Sequence, residues 1–494
     1  MNREITRLAV AGVVLIGSLI VATTYWQTWA AAGLADRQDN AIQRVAQFAI
    51  DRGEILGPGG RPVFAENVRR RVGGKTLYFR RYPQRGLAPH IVGYSTQVRS
   101  RAGLERSMND FLTGSNANLS TVISTSRDRL LGGTIHGNDV ILTLHPRAQR
   151  IALNALGRRC GAVVALEPKS GRVLVLASSP TYDPNLVEGN FGRINRIGAE
   201  CRPSAALVNR ATDGLYAPGS TFKVVTAAAA IDSGRFTVES RFDDPGYCIE
   251  YGKRVTNYSD QSGPSVYGNV SLFQALQNSI NSVFCNIGKE LGPGPILDYS
   301  RRFGFYAKPP LETPVNERTA SGLYRKGELF TPDDPFAVDP GRLAFGQERL
   351  LVTPFQMAMV AAAVANGGAV MRPYVVERVL APGGKTVTRT KPDLLGRAIK
   401  EQTAADLTEM MKAVVASGTA TSAQLPDGVA GKTGTAETGR PGVNTVAFIG
   451  FAPADNPRVA VAVFVEGQRS TGGQTAAPIA REVMQALLGV GSNS

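Results

Sequence analysis

The pattern of hydrophobic and polar positions divides the chain into three parts, residues 1–30, 31–140 and 141–494. In the first, Arg3, Glu4 and Arg7 precede Leu8 to Thr24, an uncharged apolar run nearly long enough to cross a bilayer. Tyr25, Trp26 and Trp29 follow as an interfacial belt, and no further charge occurs before Asp36. Residues 31–140 lack clear periodicity, with Arg69–Arg71 and Arg80–Arg81 in strand-like surroundings. The last part is the most regular. Gly161 to Leu166 and Val173 to Ser178 predict a hairpin around Lys169-Ser170-Gly171. The runs Val224 to Ile231 and Val270 to Gln277 suit helices, Thr445 to Phe451 and Arg458 to Val465 a strand pair, and Pro478 to Leu488 a closing helix. Strands at both ends and helices between them predict an α+β domain, an antiparallel sheet packed against helices. The Pro/Gly-rich stretches 306–341 and 381–392 read as surface loops.

Net positive charge before the apolar run and the aromatic belt after it predict a single-pass anchor with a cytoplasmic N-terminus. The rival is a signal peptide cut at Ala30-Ala31-Ala32, against which the length of the run argues. Everything beyond residue 30 is then extracytoplasmic, where disulfides persist. Four cysteines, Cys160, Cys201, Cys248 and Cys285, allow three pairings. The favoured one joins neighbours in sequence, 160 with 201 and 248 with 285, and four buried apolar thiols are the alternative. The net charge of +15 suits nucleic acid in general, but behind a membrane anchor it predicts no nucleic-acid partner. Anionic lipid headgroups and cell-wall polymers fit better, as does a solvated basic surface with no specific partner.

Candidate chemistry centres on Tyr216-Ala217-Pro218-Gly219-Ser220-Thr221-Phe222-Lys223. A turn at Pro218-Gly219 opens a helix, on which residues three apart share a face, so the Ser220 hydroxyl lies near the Lys223 amine. A serine becomes nucleophilic when a neighbouring base takes its proton, and a lysine is such a base once burial or another cation lowers its pKa. Only three histidines occur, His90, His136 and His145, so a Ser-His-Asp relay would need one reaching back from upstream. No His or Cys pair has metal-ligand spacing, and neither a metal nor a cofactor is expected. Ser279-Ile280-Asn281 supplies a second hydroxyl and an amide. Lys432-Thr433-Gly434-Thr435 supplies a cation, hydroxyls and a bare glycine at the start of a strand. Each motif is common by chance, but their order, Ser-Xaa-Xaa-Lys, Ser-Xaa-Asn, Lys-Thr-Gly, is the signature of serine enzymes that recognise penicillin.

On these residues the chain resembles the class B penicillin-binding proteins, monofunctional D,D-transpeptidases, and most the short actinobacterial branch known as penicillin-binding protein A. Gly161 to Pro168, Ser179 to Asn185, Asn209-Arg210-Ala211, Phe345-Gly346-Gln347, Val352-Thr353-Pro354 and Ala365 to Gly368 carry the likeness. Weaker echoes lie at Arg52-Gly53-Glu54-Ile55 and Gly137 to Thr143. The resemblance implies the serine penicillin-recognising fold, with helices on both faces of the sheet and a helical subdomain, raised from the membrane by a small pedestal at 31–140. It implies that Ser220 attacks the penultimate D-Ala of a stem peptide, Lys223 acts as base, Ser279 relays a proton and Asn281 holds Lys223 and the peptide. Lys432 keeps Lys223 neutral and, with Thr433, Gly434 and Thr435, binds the terminal carboxylate, while the backbone N–H groups of Ser220 and Thr435 form the oxyanion hole. The implied partners are peptidoglycan stem peptides, β-lactams and a membrane glycan polymerase of the SEDS family; the chain itself is not expected to polymerise glycan. Two departures are noted: Glu348 stands where relatives often carry Gly, and Val446-Ala447-Phe448 lacks a usual Trp. Within the fold the rivals are a β-lactamase or D,D-carboxypeptidase, and outside it a non-enzymatic sensor or scaffold.

Overall fold

The computed structural model describes residues 2–28, 48–97, 99–116, 133–260, 263–332 and 337–489. The N-terminal apolar run forms one helix, α1 (Asn2–Thr28), about 40 Å long. Its stretch Arg3–Trp26 has a mean hydropathy of 2.2 and no buried residue, so it is long and apolar enough to cross a membrane. Trp29 and Ala30 to Ala32 lie outside the described residues.

The next part is built on strands β1 (Ile55–Leu56), β2 (Val63–Val72), β3 (Lys75–Arg81) and β4 (Asp139–Leu142). The Arg-rich stretches are strands, paired as one long hairpin from Glu66–Arg81 to Val72–Lys75. Helix α2 (Pro146–Leu156) then leads into β5 (Gly161–Leu166) and β6 (Val173–Ser179), the expected hairpin. Among the helices that follow, three position the site: α3 (Lys223–Asp232), α4 (Leu272–Gln277) and α5 (Asn281–Leu291). The predicted helix from Val270 begins two residues later because Val270 and Ser271 end a short strand, and Ser271 caps α4 through a reciprocal bond with Gln274. Between α3 and α4 a small hairpin, β7 (Tyr247–Glu250) with β8 (Lys253–Thr256), lies against α5.

A helix at Pro293–Arg302 follows α5, and farther along the chain are α6 (Pro340–Ala344) and α7 (Pro354–Ala365). After them lie strands β9 (Val376–Leu380) and β10 (Thr386–Arg389), so the stretch 381–392 is not a plain loop. Its alternating Thr386-Val387-Thr388 pairs with β9, and β9 pairs with β4. The resulting sheet runs β10-β9-β4-β1-β2-β3 and crosses the boundary at residue 140. The stretch 306–341 likewise holds a short strand, Gly322–Arg325, paired on both sides.

The chain closes with α8 (Glu401–Ser417), β11 (Ala430–Arg440), β12 (Val443–Ala452), β13 (Val459–Gln468) and α9 (Gly472–Leu488). The last helix starts six residues before the expected Pro478, on a Thr471–Gln474 capping box. Five antiparallel strands, in the order β11-β12-β13-β5-β6, form the central sheet. Every residue of β5, and β13 from Val459 to Val465, is buried, so both faces are covered. Helices α2 and α9 pack together on the sheet, and α7 packs on β5, β12 and β13. Strand β11, which carries the third motif, lies at the edge of this sheet, with one side unpaired among the described residues.

Both disulfides join neighbours in sequence, Cys160–Cys201 and Cys248–Cys285. The second ties β7 to α5. Closing a separation of 37 residues, it should contribute about 2–4 kcal/mol. The double variant Cys248→Ser, Cys285→Ser should therefore unfold at lower urea concentration than wild type; an unchanged midpoint would remove this role.

Candidate active site

The segment before Ser220 is held by the rest of the domain. Tyr216 exchanges two backbone hydrogen bonds with Val352, at 2.9 and 2.8 Å, and its hydroxyl donates to Glu466. Gly219 has a φ of +51°, which glycine adopts without strain, and its N–H donates to the Gly346 carbonyl at 3.1 Å. Gly219–Phe222 forms a 3-10 turn that continues directly into α3 at Lys223. Ser220 is half-buried on this turn, whereas Thr221, Phe222 and Lys223 are buried.

Lys223 joins the first two motifs. Its Nζ donates to the Ser279 carbonyl at 2.7 Å and to Asn281 Oδ1 at 2.7 Å, with Ser279 Oγ 3.3 Å away. Burial first, and then the charge of Lys432, hold the amine well below the usual lysine range. Ser279 has a φ of +58°, uncommon for serine, on the turn joining α4 to α5, while Asn281 begins α5. The Asn281 side chain is oriented in turn by Nδ2, which donates to Thr256 O at 3.0 Å.

A buried carboxylate organises this corner. Asp244 accepts from Gly246 N–H, Tyr267 N–H, Asn257 Nδ2 and the Ser282 hydroxyl. Asn257 Oδ1 accepts from the Ser282 N–H at 3.0 Å. Together with the Cys248–Cys285 bridge, this network fixes the first turn of α5 and so the place of Asn281. Nothing in the sequence marked Asp244 or Asn257, because they meet Ser282 only through folding and match no spaced motif.

The third motif packs onto the first through bare backbone. A Cβ on Gly434 would lie 2.8 Å from Pro218 O and 2.9 Å from Thr221 Cγ2, so only glycine lets β11 approach the serine turn this closely. Gly472 at the start of α9 is equally confined: a Cβ there would fall 2.5 Å from Gly434 O, and its N–H donates to Thr435 Oγ1 at 3.2 Å. Lys432 is fully buried with Nζ 3.2 Å from Thr433 O, and desolvation brings its pKa down to about 7. Thr433 Oγ1 pairs with Thr419 Oγ1 at 2.6 Å, a partner that sequence reasoning missed. All eight residues singled out in the sequence thus gather at one corner, where β11, the serine turn and the start of α5 converge.

The chain has counterparts among known proteins. Residues 161–485 match the family model of the penicillin-binding protein transpeptidase domain, and 52–140 that of the penicillin-binding protein A dimerisation domain. The chain belongs to the class B penicillin-binding proteins. It is 34% identical over 514 residues to the peptidoglycan D,D-transpeptidase PbpA of Mycolicibacterium smegmatis, covering all of both chains. The corresponding PbpA of Mycobacterium tuberculosis is 34% identical over 99% of each. The crystal structure of penicillin-binding protein A from M. tuberculosis superposes with a TM-score of 0.79 at 32% identity, over 89% of this chain and all of the other. The penicillin G acyl-enzyme of that protein superposes with a TM-score of 0.77 at 33% identity, over 89% of this chain and 100% of the other. Glu348 has a φ of +56°, the region glycine favours, so this side chain is carried at a conformational cost.

Asn257→Ala leaves Asp244 and the Ser282 N–H short of partners and should cost about 1–3 kcal/mol, read as a lower unfolding midpoint. For Lys432, the folded pKa near 7 lies below the unfolded value of about 10.4. Between the two the unfolded chain binds the extra proton, so stability should rise with pH across that window and fall as pH drops back toward 7. Urea unfolding of the full chain at several pH values should show a smaller rise in Lys432→Met than in wild type; equal slopes would contradict the burial argument.

Proposed function

We infer that the chain is a peptidoglycan D,D-transpeptidase of cell-wall synthesis that works through an acyl-enzyme on Ser220 and is acylated by β-lactams. The observation that carries this reading is the set of contacts at Lys223. A neutral amine has two N–H donors and one lone pair. The two acceptors at 2.7 Å, Ser279 O and Asn281 Oδ1, use both donors. The lone pair is then left for a proton from the Ser220 hydroxyl, which is the work of a general base.

In the mechanism, Ser220 Oγ attacks the carbonyl of the penultimate D-Ala while its proton passes to Lys223. The Ser220 and Thr435 backbone N–H groups stabilise the oxyanion, an arrangement worth about 3 kcal/mol per donor where measured. Ser279, in contact with Lys223, returns the proton to the departing amine of the terminal D-Ala. Lys432, Thr433 and Thr435 bind the terminal carboxylate, and Gly434 keeps β11 close to the serine. The free edge of β11 suits strand-like pairing with the stem peptide. An amine from a second stem peptide then takes the acyl group and closes the crosslink. A β-lactam imitates D-Ala-D-Ala and stalls after the first half.

The anchor reading places the N-terminus of α1 in the cytoplasm and the catalytic part outside, which suits two disulfides. Residues 31–140 serve as pedestal and 141–494 as catalytic domain, although the shared strands β9 and β10 bind the two into one unit. A glycan polymerase of the SEDS family is the partner that family membership supports.

Incubating the full chain in detergent with a fluorescent penicillin should give label that survives denaturation in wild type and none in Ser220→Ala. Label that decays within minutes would point to a hydrolase, and label retained in Ser220→Ala would move the nucleophile elsewhere.

A further inference from the structure

The serine turn has an anchor that the chemistry above does not use. Tyr216 stands four residues before Ser220, and Pro218, whose ring fixes φ, lies between them. A displacement at Tyr216 therefore reaches the nucleophile through a short segment with little slack. The Tyr216 ring packs on Phe464 of β13, with centroids 5.8 Å apart, and its hydroxyl donates to Glu466 Oε1 on the same strand at 2.8 Å. Burial first, and then the charge of Glu466, raise Tyr216 well above the usual tyrosine range, so the hydroxyl keeps the proton it donates.

A second donor meets the same carboxylate oxygen. Arg210, only 5% exposed, donates from Nε to Glu466 Oε1 at 2.8 Å. Both of its other side-chain nitrogens have partners: Nη1 donates to Ala205 O at 3.2 Å and Nη2 to Ser204 O at 2.9 Å, with Cys201 Sγ 3.4 Å away. Its backbone N–H donates to Ser178 Oγ, near the end of β6, at 3.0 Å. The Glu466 N–H donates to Cys160 O at 2.8 Å, and Cys160 is bonded to Cys201. Carboxylate, guanidinium and disulfide thus close a ring in which each is held from two directions. Gly214 lets the chain turn back inside this ring, since a Cβ there would lie 2.7 Å from Arg210 O and 2.8 Å from Tyr216 Oη. Glu466 itself lies in none of the three motifs.

We propose that Glu466 is a positioning residue for acylation, which by accepting from Tyr216 and Arg210 on one oxygen fixes the segment that presents Ser220 to Lys223. This role rests on Ser220 being the nucleophile. Hydrogen bonds to an ionised carboxylate are short and directional, so two of them on one oxygen locate the Tyr216 hydroxyl closely. Misplacing a reacting atom by about 1 Å can cost about a hundredfold in rate. The effect falls on the chemical step and not on the first encounter, because the groups assigned to the substrate carboxylate, Lys432, Thr433 and Thr435, stand on β11.

Acylation of the full chain in dodecyl maltoside is followed with a fluorescent penicillin at several concentrations. The affinity of the first, non-covalent complex and the rate constant of acylation are then read separately. Tyr216→Phe removes one hydroxyl and leaves Arg210 on Glu466, whereas Glu466→Ala removes both bonds. Both should lower the rate constant, Glu466→Ala by about tenfold or more, with the affinity of the first complex unchanged. Glu466→Gln, which keeps an oxygen acceptor, should recover most of the rate. Tyr299→Phe is the matched control: Tyr299 is comparably buried, and its hydroxyl donates at 2.8 Å to Asp232, at the opposite end of α3 from Lys223. It should lose stability while keeping the wild-type rate constant. Tyr216→Phe decides the matter if Glu466→Ala fails to fold. A wild-type rate constant in Tyr216→Phe, a loss confined to the first complex, or an equal loss in Tyr299→Phe overturns the positioning role. No label on wild type would overturn Ser220 as nucleophile, and the positioning role with it.

Discussion

A lysine buried without a counter-charge is the constraint on which the rest of the catalytic part depends. Charged, Lys223 would demand a compensating carboxylate, and among the described residues none of its contacts is one. Neutral, it needs two acceptors and offers a lone pair. The Ser279 carbonyl and the Asn281 side chain meet that need only if the turn between α4 and α5 is held rigidly, with Ser279 in an uncommon left-handed conformation. The buried Asp244, Asn257 and the Cys248–Cys285 bridge converge on that turn. Through that turn they set the position of the two groups that hold Lys223.

The second constraint is steric. Three glycines, at 346, 434 and 472, let separate backbones approach to distances that any side chain would forbid. Through them the serine turn, the turn after α6, the edge strand β11 and the start of α9 form one close-packed corner. Lys432 enters this corner buried, and its charge reinforces the neutrality of Lys223 while desolvation takes its own pKa to about 7. The two buried lysines sit differently: Lys223 is held by the Ser279 carbonyl and Asn281, whereas Lys432 Nζ has the Thr433 carbonyl at 3.2 Å.

The N-terminal part is coupled to this machinery through shared backbone, not only through side-chain contact. Strands β9 and β10, more than 200 residues beyond β4 in sequence, complete its sheet. The Arg52–Glu105–Arg80 cluster locks the same region from within. A displacement of the β2–β3 hairpin would thus be felt by the segment that leaves α7, the helix packed beneath the catalytic sheet.

Local pattern was sufficient wherever the physics is local. The apolar run of α1, the β5–β6 hairpin, the late strands and the three motifs were legible because hydrophobic period and short spacings encode them directly. The motifs' order pointed to the family, and the family likeness supplied the roles expected of them. The cysteine pairing was favoured but stayed one of three, because only the fold brings Cys248 beside Cys285. Tertiary structure alone decided that 381–392 contains a strand, since an exposed Thr-rich stretch becomes one only when β9 offers an edge. It alone revealed Asp244, Asn257 and Thr419, whose partners are distant in the chain. Sequence thus determined which motif residues the fold would have to bring together, while close packing of remote backbones decided their positions and the burial that lowers the pKa of Lys223 and Lys432.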